Sequence, residues 1–170
     1  MNTKEKGYDV SLKLVAKGQK QFTELRDGIV GLRGIVYPEL AFDTYARTAE
    51  FFENKKSFGV AAVLGTRVIG YLIGVVNKTT VEIFDIAVVE DLRRARIATD
   101  ILGFLVARIL ASGEKIPATI TTTVRERDVA VQLFLRAFGM KYKKTKRAFY
   151  NDTEEDGYVF KLLLPVPCRS

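Results

Sequence analysis

The feature that most constrains the fold is one continuous stretch, Val81–Leu110. It opens with VEIFDIAVV, nine residues that are apolar except for Glu82 and Asp85. A run that apolar reads as a central β-strand buried on both faces. A short basic loop follows, holding Arg93, Arg94 and Arg96, and then a helix over Ile97–Leu110 with Ile97, Ile101, Leu105 and Ile109 on one stripe. A second strand comes next, the β-branched, alternating ATITTTVR of Ala118–Arg125. Strand, helix, strand in that order is the unit that builds parallel pairing, so the sheet cannot be purely antiparallel.

The flanking segments supply the other kind of pairing. Asp9–Val15 alternates and ends at Lys17-Gly18, as a first strand does. Phe58–Leu64 and Val68–Val76 flank Gly65-Thr66-Arg67 and predict a β-hairpin. Gln19 to about Leu32 is helical, but Gly28, Gly31 and Gly34 predict a short helix followed by a shaped loop. Phe42, Tyr45, Ala46, Ala49 and Phe52 recur at helical spacing, so Phe42–Glu53 reads as an amphipathic helix. After Arg125, Asp128 is placed to cap a helix running to Phe138, with Gly139 ending it. Met140–Tyr150 and Tyr158–Leu164 close the chain as strands. The order β-α-α-β-β-β-α-β-α-β-β predicts a mixed sheet with helices on both faces, an α+β (mixed α/β) architecture. With 170 residues, no linker and no repeat, the chain reads as one domain, residues 1–170, with a core over Tyr8–Pro165 and short tails.

Composition narrows the chemistry. The chain has no histidine and one cysteine, Cys168. That excludes Ser-His-Asp and Cys-His catalysis, histidine metal sites, cysteine zinc sites and internal disulfides. The polar start MNTKEKGYDV has no apolar signal region, and no apolar run reaches the ~20 residues of a membrane helix. A cytoplasmic protein without a membrane partner is expected. The net charge of +7 suits either nucleic acid or a phosphate-bearing ligand. The densest basic run, Lys141–Arg147, is followed closely by Glu154, Glu155 and Asp156, which argues against one continuous nucleic-acid face. Lys141–Arg147 reads either as a solvated surface strand or as a patch for an anion or acidic partner.

Two places carry potential chemistry. A helix start presents unpaired N–H groups and the positive end of the dipole, so Val88–Thr99 is suited to phosphate. Arginines at a helix start oppose the dipole by about 0.3–1 kcal/mol each, so three of them there are either incidental or matched by an anionic ligand. Asp85 is a carboxylate within an apolar strand. Burial would raise its pKa above the usual ~3.9 and make it a stronger base, whereas neighbouring amides or an arginine would satisfy it structurally. Strict alternation sends Glu82 to the opposite face.

The segment VVEDLRRARIA, Val88–Ala98, resembles the acetyl-CoA motif of the GNAT N-acetyltransferase superfamily, Gln/Arg-x-x-Gly-x-Gly/Ala after the fourth strand. Arg93 takes the first place and Ala98 the last, while Arg96 stands at the usual glycine. The element order is similar along nearly the whole chain. The likeness is greatest to the branch that acetylates protein N-termini, including the ribosomal-protein alanine acetyltransferases. ATITTTVRERD, VAVQLFLRAF, Gly139-Met140, KYKKTKR, Phe149-Tyr150 and the acidic loop Asn151–Asp156 carry it.

The resemblance implies a seven-stranded sheet whose parallel fourth and fifth strands splay to admit acetyl-CoA. The backbone of Ala87, Val88 and Val89 would pair with the pantetheine. Amides from Arg94 through Ala95, Arg96, Ile97 and Ala98 to Thr99 would hold the pyrophosphate, with Arg93 beside them. Asp128 stands at the family's cofactor-contacting asparagine. The family's usual glutamate and tyrosine fall at Thr123 and Leu135, so Asp85 and Tyr150 become the catalytic candidates, with no metal. Tyr150 also has a purely packing reading. Tyr37 lies on the implied substrate side, and Gly31–Leu40 and Asn151–Gly157 would line the acceptor groove. The implied activity is acetyl transfer from acetyl-CoA to a primary amine, a peptide or protein N-terminus. A weakly active or inactive acyl-CoA-binding module and a small-molecule amine acetyltransferase are the competing readings. Nucleic acid ranks behind these, and the sequence carries no sign of oligomeric state.

Overall fold

The computed structural model describes residues 2–3, 9–18, 21–38, 50–112 and 119–165. Its strands are β1 (Val10–Val15), β2 (Ser57–Leu64), β3 (Arg67–Val76), β4 (Thr80–Val88), β5 (Thr119–Arg125), β6 (Lys141–Tyr150) and β7 (Glu155–Leu163). A two-residue strand, Asn2–Thr3, adds to the outer edge of β1. Together they form one sheet in the order Asn2–Thr3, β1, β2, β3, β4, β5, β7, β6. Every pairing is antiparallel except β4 with β5. The mixed sheet expected from the strand–helix–strand unit is therefore present, with the parallel pair at its centre.

Among the described residues, three helices pack on this sheet: α1 (Phe22–Val36), α2 (Ile97–Ala111) and α3 (Val129–Ala137). Helix α1 corrects the sequence reading. It runs through Gly28, Gly31 and Gly34 without breaking. At Gly28 the reason is packing, because a Cβ there would stand 2.5 Å from Val68 Cγ2. The glycine lets α1 lie close on β3, and that burial outweighs its helix cost of about 1 kcal/mol. Helix α2 lies on the other face, with Ile97 and Ile101 filling the space above Gly70. Ile29, Leu72, Ile101 and Ile120 are each fully buried between these layers.

The hairpin closes as expected, with Leu64 opposite Arg67 across Gly65-Thr66. Most of the helix expected over Phe42–Glu53 lies outside the described residues; its visible end is helical at Glu50–Phe51 and turns at Phe52-Glu53. Lys141–Arg147 lies on β6, the outermost strand, and is largely exposed. Asp128 occupies the N-cap position of α3, but its side chain makes no capping hydrogen bond. The expected cap is corrected to that extent.

Candidate active site

The parallel ladder between β4 and β5 ends at Ile83 opposite Thr122. Beyond it β4 continues to Val88 and β5 to Arg125 without pairing to each other, so a gap opens between them. Alternation fixes which backbone groups face that gap. Val89 donates its N–H to Ile69 O at 2.9 Å, which turns Val89 and Ala87 toward β3 and Val88 toward the β5 side. The Val88 carbonyl accepts from Arg93 Nε at 3.4 Å. The three strand-four residues named from the sequence thus differ, and Val88 is the one that turns its backbone into the opening. On the other wall, Glu126 N–H bonds Asp156 O, so Thr123, out of step with it, turns its carbonyl toward β4.

The loop after β4 forms a short 3-10 turn at Glu90–Leu92, and α2 starts at Ile97. Arg94 (φ 64°) and Arg96 (φ 62°) are both left-handed. Each such residue other than glycine costs about 1–2 kcal/mol. Arg96, at the place of the usual glycine, therefore keeps the backbone shape that glycine would take. Ala95 N–H turns back to Leu92 O at 3.4 Å. The first bond within α2 runs from Asp100 N–H to Arg96 O at 3.0 Å. The N–H groups of Ile97, Ala98 and Thr99 consequently point out of the helix start, beside the arginines. This donor set fits a pyrophosphate, and the adjoining gap fits an extended chain lying between two strand edges.

Asp85 sits on the α1 side of the sheet. Its Oδ2 accepts from Tyr71 Oη at 2.6 Å and from Arg33 Nε at 3.0 Å, and its Oδ1 accepts from Tyr37 Oη at 3.1 Å. The picture of a lone carboxylate in an apolar strand is corrected: Asp85 is the hub of one guanidinium and two phenols. Burial, then the Asp85 charge and hydrogen bond, hold the Tyr71 and Tyr37 phenols well above the usual tyrosine range, so both stay protonated donors. A register shift between Ile73 and Gly74 makes Phe84 an extra residue of β4. Glu82 and Asp85 then oppose Val75 and Ile73 and share a face, contrary to strict alternation. Phe84 itself is half exposed and stacks edge-on against Phe51 at 5.8 Å.

Tyr150 closes the other side. Its Oη donates to Thr123 O at 3.0 Å, which places the phenol at the mouth of the gap. Burial pushes its pKa up; the Arg125 charge opposes this, and Asp128, Glu155 and Asp85 reinforce it. The Asp128 charge likewise pushes the Tyr37 phenol up, after burial and Asp85. Leu135 is buried in the core, and Thr123 Oγ1 accepts from Lys146 Nζ at 3.4 Å. Arg33, Tyr71 and Arg125 are the site residues that sequence reasoning missed. The one available signal was Tyr71, a polar tip within an apolar strand.

The profile of the Acetyltransferase (GNAT) family matches residues 23–140, and the chain belongs to that family. No curated protein matches it in sequence. Among solved structures it is similar to the ribosomal-protein-S18-alanine N-acetyltransferase of Escherichia coli, with 15% identity over 94% of this chain and 98% of that one and a TM-score of 0.71. It is likewise similar to Arabidopsis thaliana NAA60 solved with acetyl-CoA, at 14% identity over 91% and 98% and a TM-score of 0.73. An aminoglycoside 6'-acetyltransferase type Ii shares 18% identity over 92% and 99%, with a TM-score of 0.75. At these identities the likeness is one of fold.

Proposed function

We propose that this chain is an acetyl-CoA-dependent N-acetyltransferase acting on a primary amine, a peptide or protein N-terminus. The observation that carries the reading is the gap between β4 and β5, with outward amides at one end and a phenol at the other. Arg93, Arg94, Arg96 and the amides of Ile97, Ala98 and Thr99 would hold the phosphates, and the Val88 backbone would lie along the pantetheine. Acetyl-CoA, when bound, supplies the activated acyl group, so no histidine or metal is required of the protein.

The protein has to orient an amine, exclude water and manage two protons, one leaving the nitrogen and one reaching the sulfur. Tyr150 is the group for the second. Its phenol stays protonated at neutral pH and its hydroxyl stands at the gap, so its proton, given to Thr123 O in the resting site, would turn from that carbonyl to the sulfur. Asp85 is the acceptor for the first, through the Tyr37 hydroxyl that it holds at 3.1 Å. The peptide acceptor is favoured by the β6–β7 end, whose Phe149-Tyr150 and acidic turn resemble in sequence those of the N-terminal acetylating branch.

A competition assay tests the acceptor class. Acetyl-CoA is supplied with equimolar peptides of different first residues, aminoglycosides and small amines, and the products are weighed by mass spectrometry. Acetylated peptide N-termini in excess are expected. Acetylated aminoglycosides or small amines in excess would move the substrate to the small-molecule class. Cofactor binding with no acetylated product would favour the inactive acyl-CoA-binding module.

A further inference from the structure

We propose that Arg125 is the positioning residue for Tyr150, holding the phenol in the gap by clamping the end of the β6–β7 hairpin. The proposal rests on the reading of Tyr150 given above. Arg125 ends β5, and its side chain is 21% exposed. One face of its guanidinium covers the Tyr150 ring, 4.1 Å from the centroid. The edges of the same group reach three oxygens of the turn. Nη2 donates to Asp152 Oδ2 at 2.7 Å, and Nη1 donates to Thr153 Oγ1 at 2.9 Å and Glu155 Oε2 at 3.3 Å. A planar cation with donors around its rim can stack and hydrogen-bond at once, which an ammonium cannot.

The hairpin end needs such a clamp. Ala148 (φ 45°) and Glu154 (φ 54°) are both left-handed, and the β6–β7 register shifts between Lys146 and Tyr150. A Cβ at Gly157 would stand 2.7 Å from Thr123 Cγ2 and 3.0 Å from Phe149 Cβ, so the curled strand end lies directly on β5. Asp156 ties the same bend from the other side, accepting from Ala148 N–H at 2.9 Å and Arg147 Nη1 at 2.6 Å. Strain of about 1–3 kcal/mol per residue persists only where surrounding contacts overdetermine the backbone. Here those contacts converge on the ring whose hydroxyl meets Thr123 O.

The test compares wild type with R125K, R125A, Y150F and R125K/Y150F. Amide exchange over residues 147–156 is read without ligand, CoA affinity by calorimetry, and turnover as thiol release from acetyl-CoA with peptide amines or, failing these, with water as acceptor. In R125K we expect exchange faster at 147–156 than in wild type and CoA affinity within about twofold. Turnover is expected to fall about 10- to 100-fold in R125K, as for a catalytic group displaced by an ångström. The double variant should be no slower than Y150F alone, because the two residues act as one unit. Should R125A fail to fold, R125K carries the comparison. Turnover in R125K within about twofold of wild type while Y150F is slow would overturn the clamp and leave the Tyr150 reading intact. A double variant slower than Y150F by the full R125K factor would do the same. Normal turnover in Y150F, or no thiol release by wild type, would overturn the Tyr150 reading and the clamp with it.

Discussion

Tyr150 Oη donates to the main-chain carbonyl of Thr123 at 3.0 Å, across the place where β5 has just parted from β4. Thr123 is the first residue of β5 past the last parallel pair, and its carbonyl would otherwise face the gap without a strand partner. The bond marks the spot where a side chain of this protein can present a proton inside the opening. Tyr150→Phe should cost about 1 kcal/mol of stability, read by urea unfolding, and lower turnover about 100-fold with CoA affinity unchanged. Loss of CoA binding in this variant would mean that Tyr150 shapes the cleft instead.

The Asp85 hub makes a prediction for stability and its pH dependence. Tyr71→Phe removes the 2.6 Å bond from a fully buried phenol to a carboxylate, and should cost about 1.5–3 kcal/mol. Because folding raises the pKa of Tyr71 and Tyr37, their contribution is complete below the unfolded tyrosine value, about 10. It is lost as pH climbs above that value toward the folded one. Thermal unfolding should therefore show little dependence on these phenols up to pH ~10 and a falling midpoint above it. Tyr71→Phe should flatten that alkaline fall, and an unchanged slope would count against the assignment.

Arg96 tests the phosphate loop. At φ 62° an alanine carries the Cβ penalty and a glycine does not. Removing the side chain both ways isolates the backbone. Arg96→Gly should be more stable than Arg96→Ala by about 1 kcal/mol in urea titrations. Equal stability would show that the loop relaxes out of the left-handed conformation.

Helix α1 offers a matched pair. Gly31 has open space where its Cβ would be, whereas Gly28 lies against Val68. Gly31→Ala should stabilise by about 0.5–1 kcal/mol through helix propensity. Gly28→Ala should destabilise by about 1–3 kcal/mol, since the helix must lift from β3. Thermal midpoints moving in the same direction would contradict the packing described.

Much of this architecture was legible because periodicity is local. The apolar run at Val81–Val89, the hairpin at Gly65-Thr66 and the helix from Ile97 each carry their own signal, and the parallel pair follows from their order. What stayed hidden depends on contacts distant in sequence. Arg33 and Asp85 are 52 residues apart, and only the seating of α1 on β3 brings them together. The same seating explains why Gly28 did not break the helix. The face of Glu82 was misread because a single extra residue at Phe84 resets the alternation, and no residue type announces a bulge there. Asp128 was placed at the right boundary, but a capping bond depends on the side-chain rotamer as well as on the sequence. Arg125 gave no signal at all, since a lone arginine at a strand end is ordinary until the turn it grips folds back on it.

The most direct test of the account is thiol release from acetyl-CoA by the wild-type chain, measured with and without a mixture of peptides bearing free N-termini. The account predicts release that depends on the peptide and is matched mole for mole by acetylated N-termini. Release that stays at its peptide-free level, with no acetylated product, would contradict it.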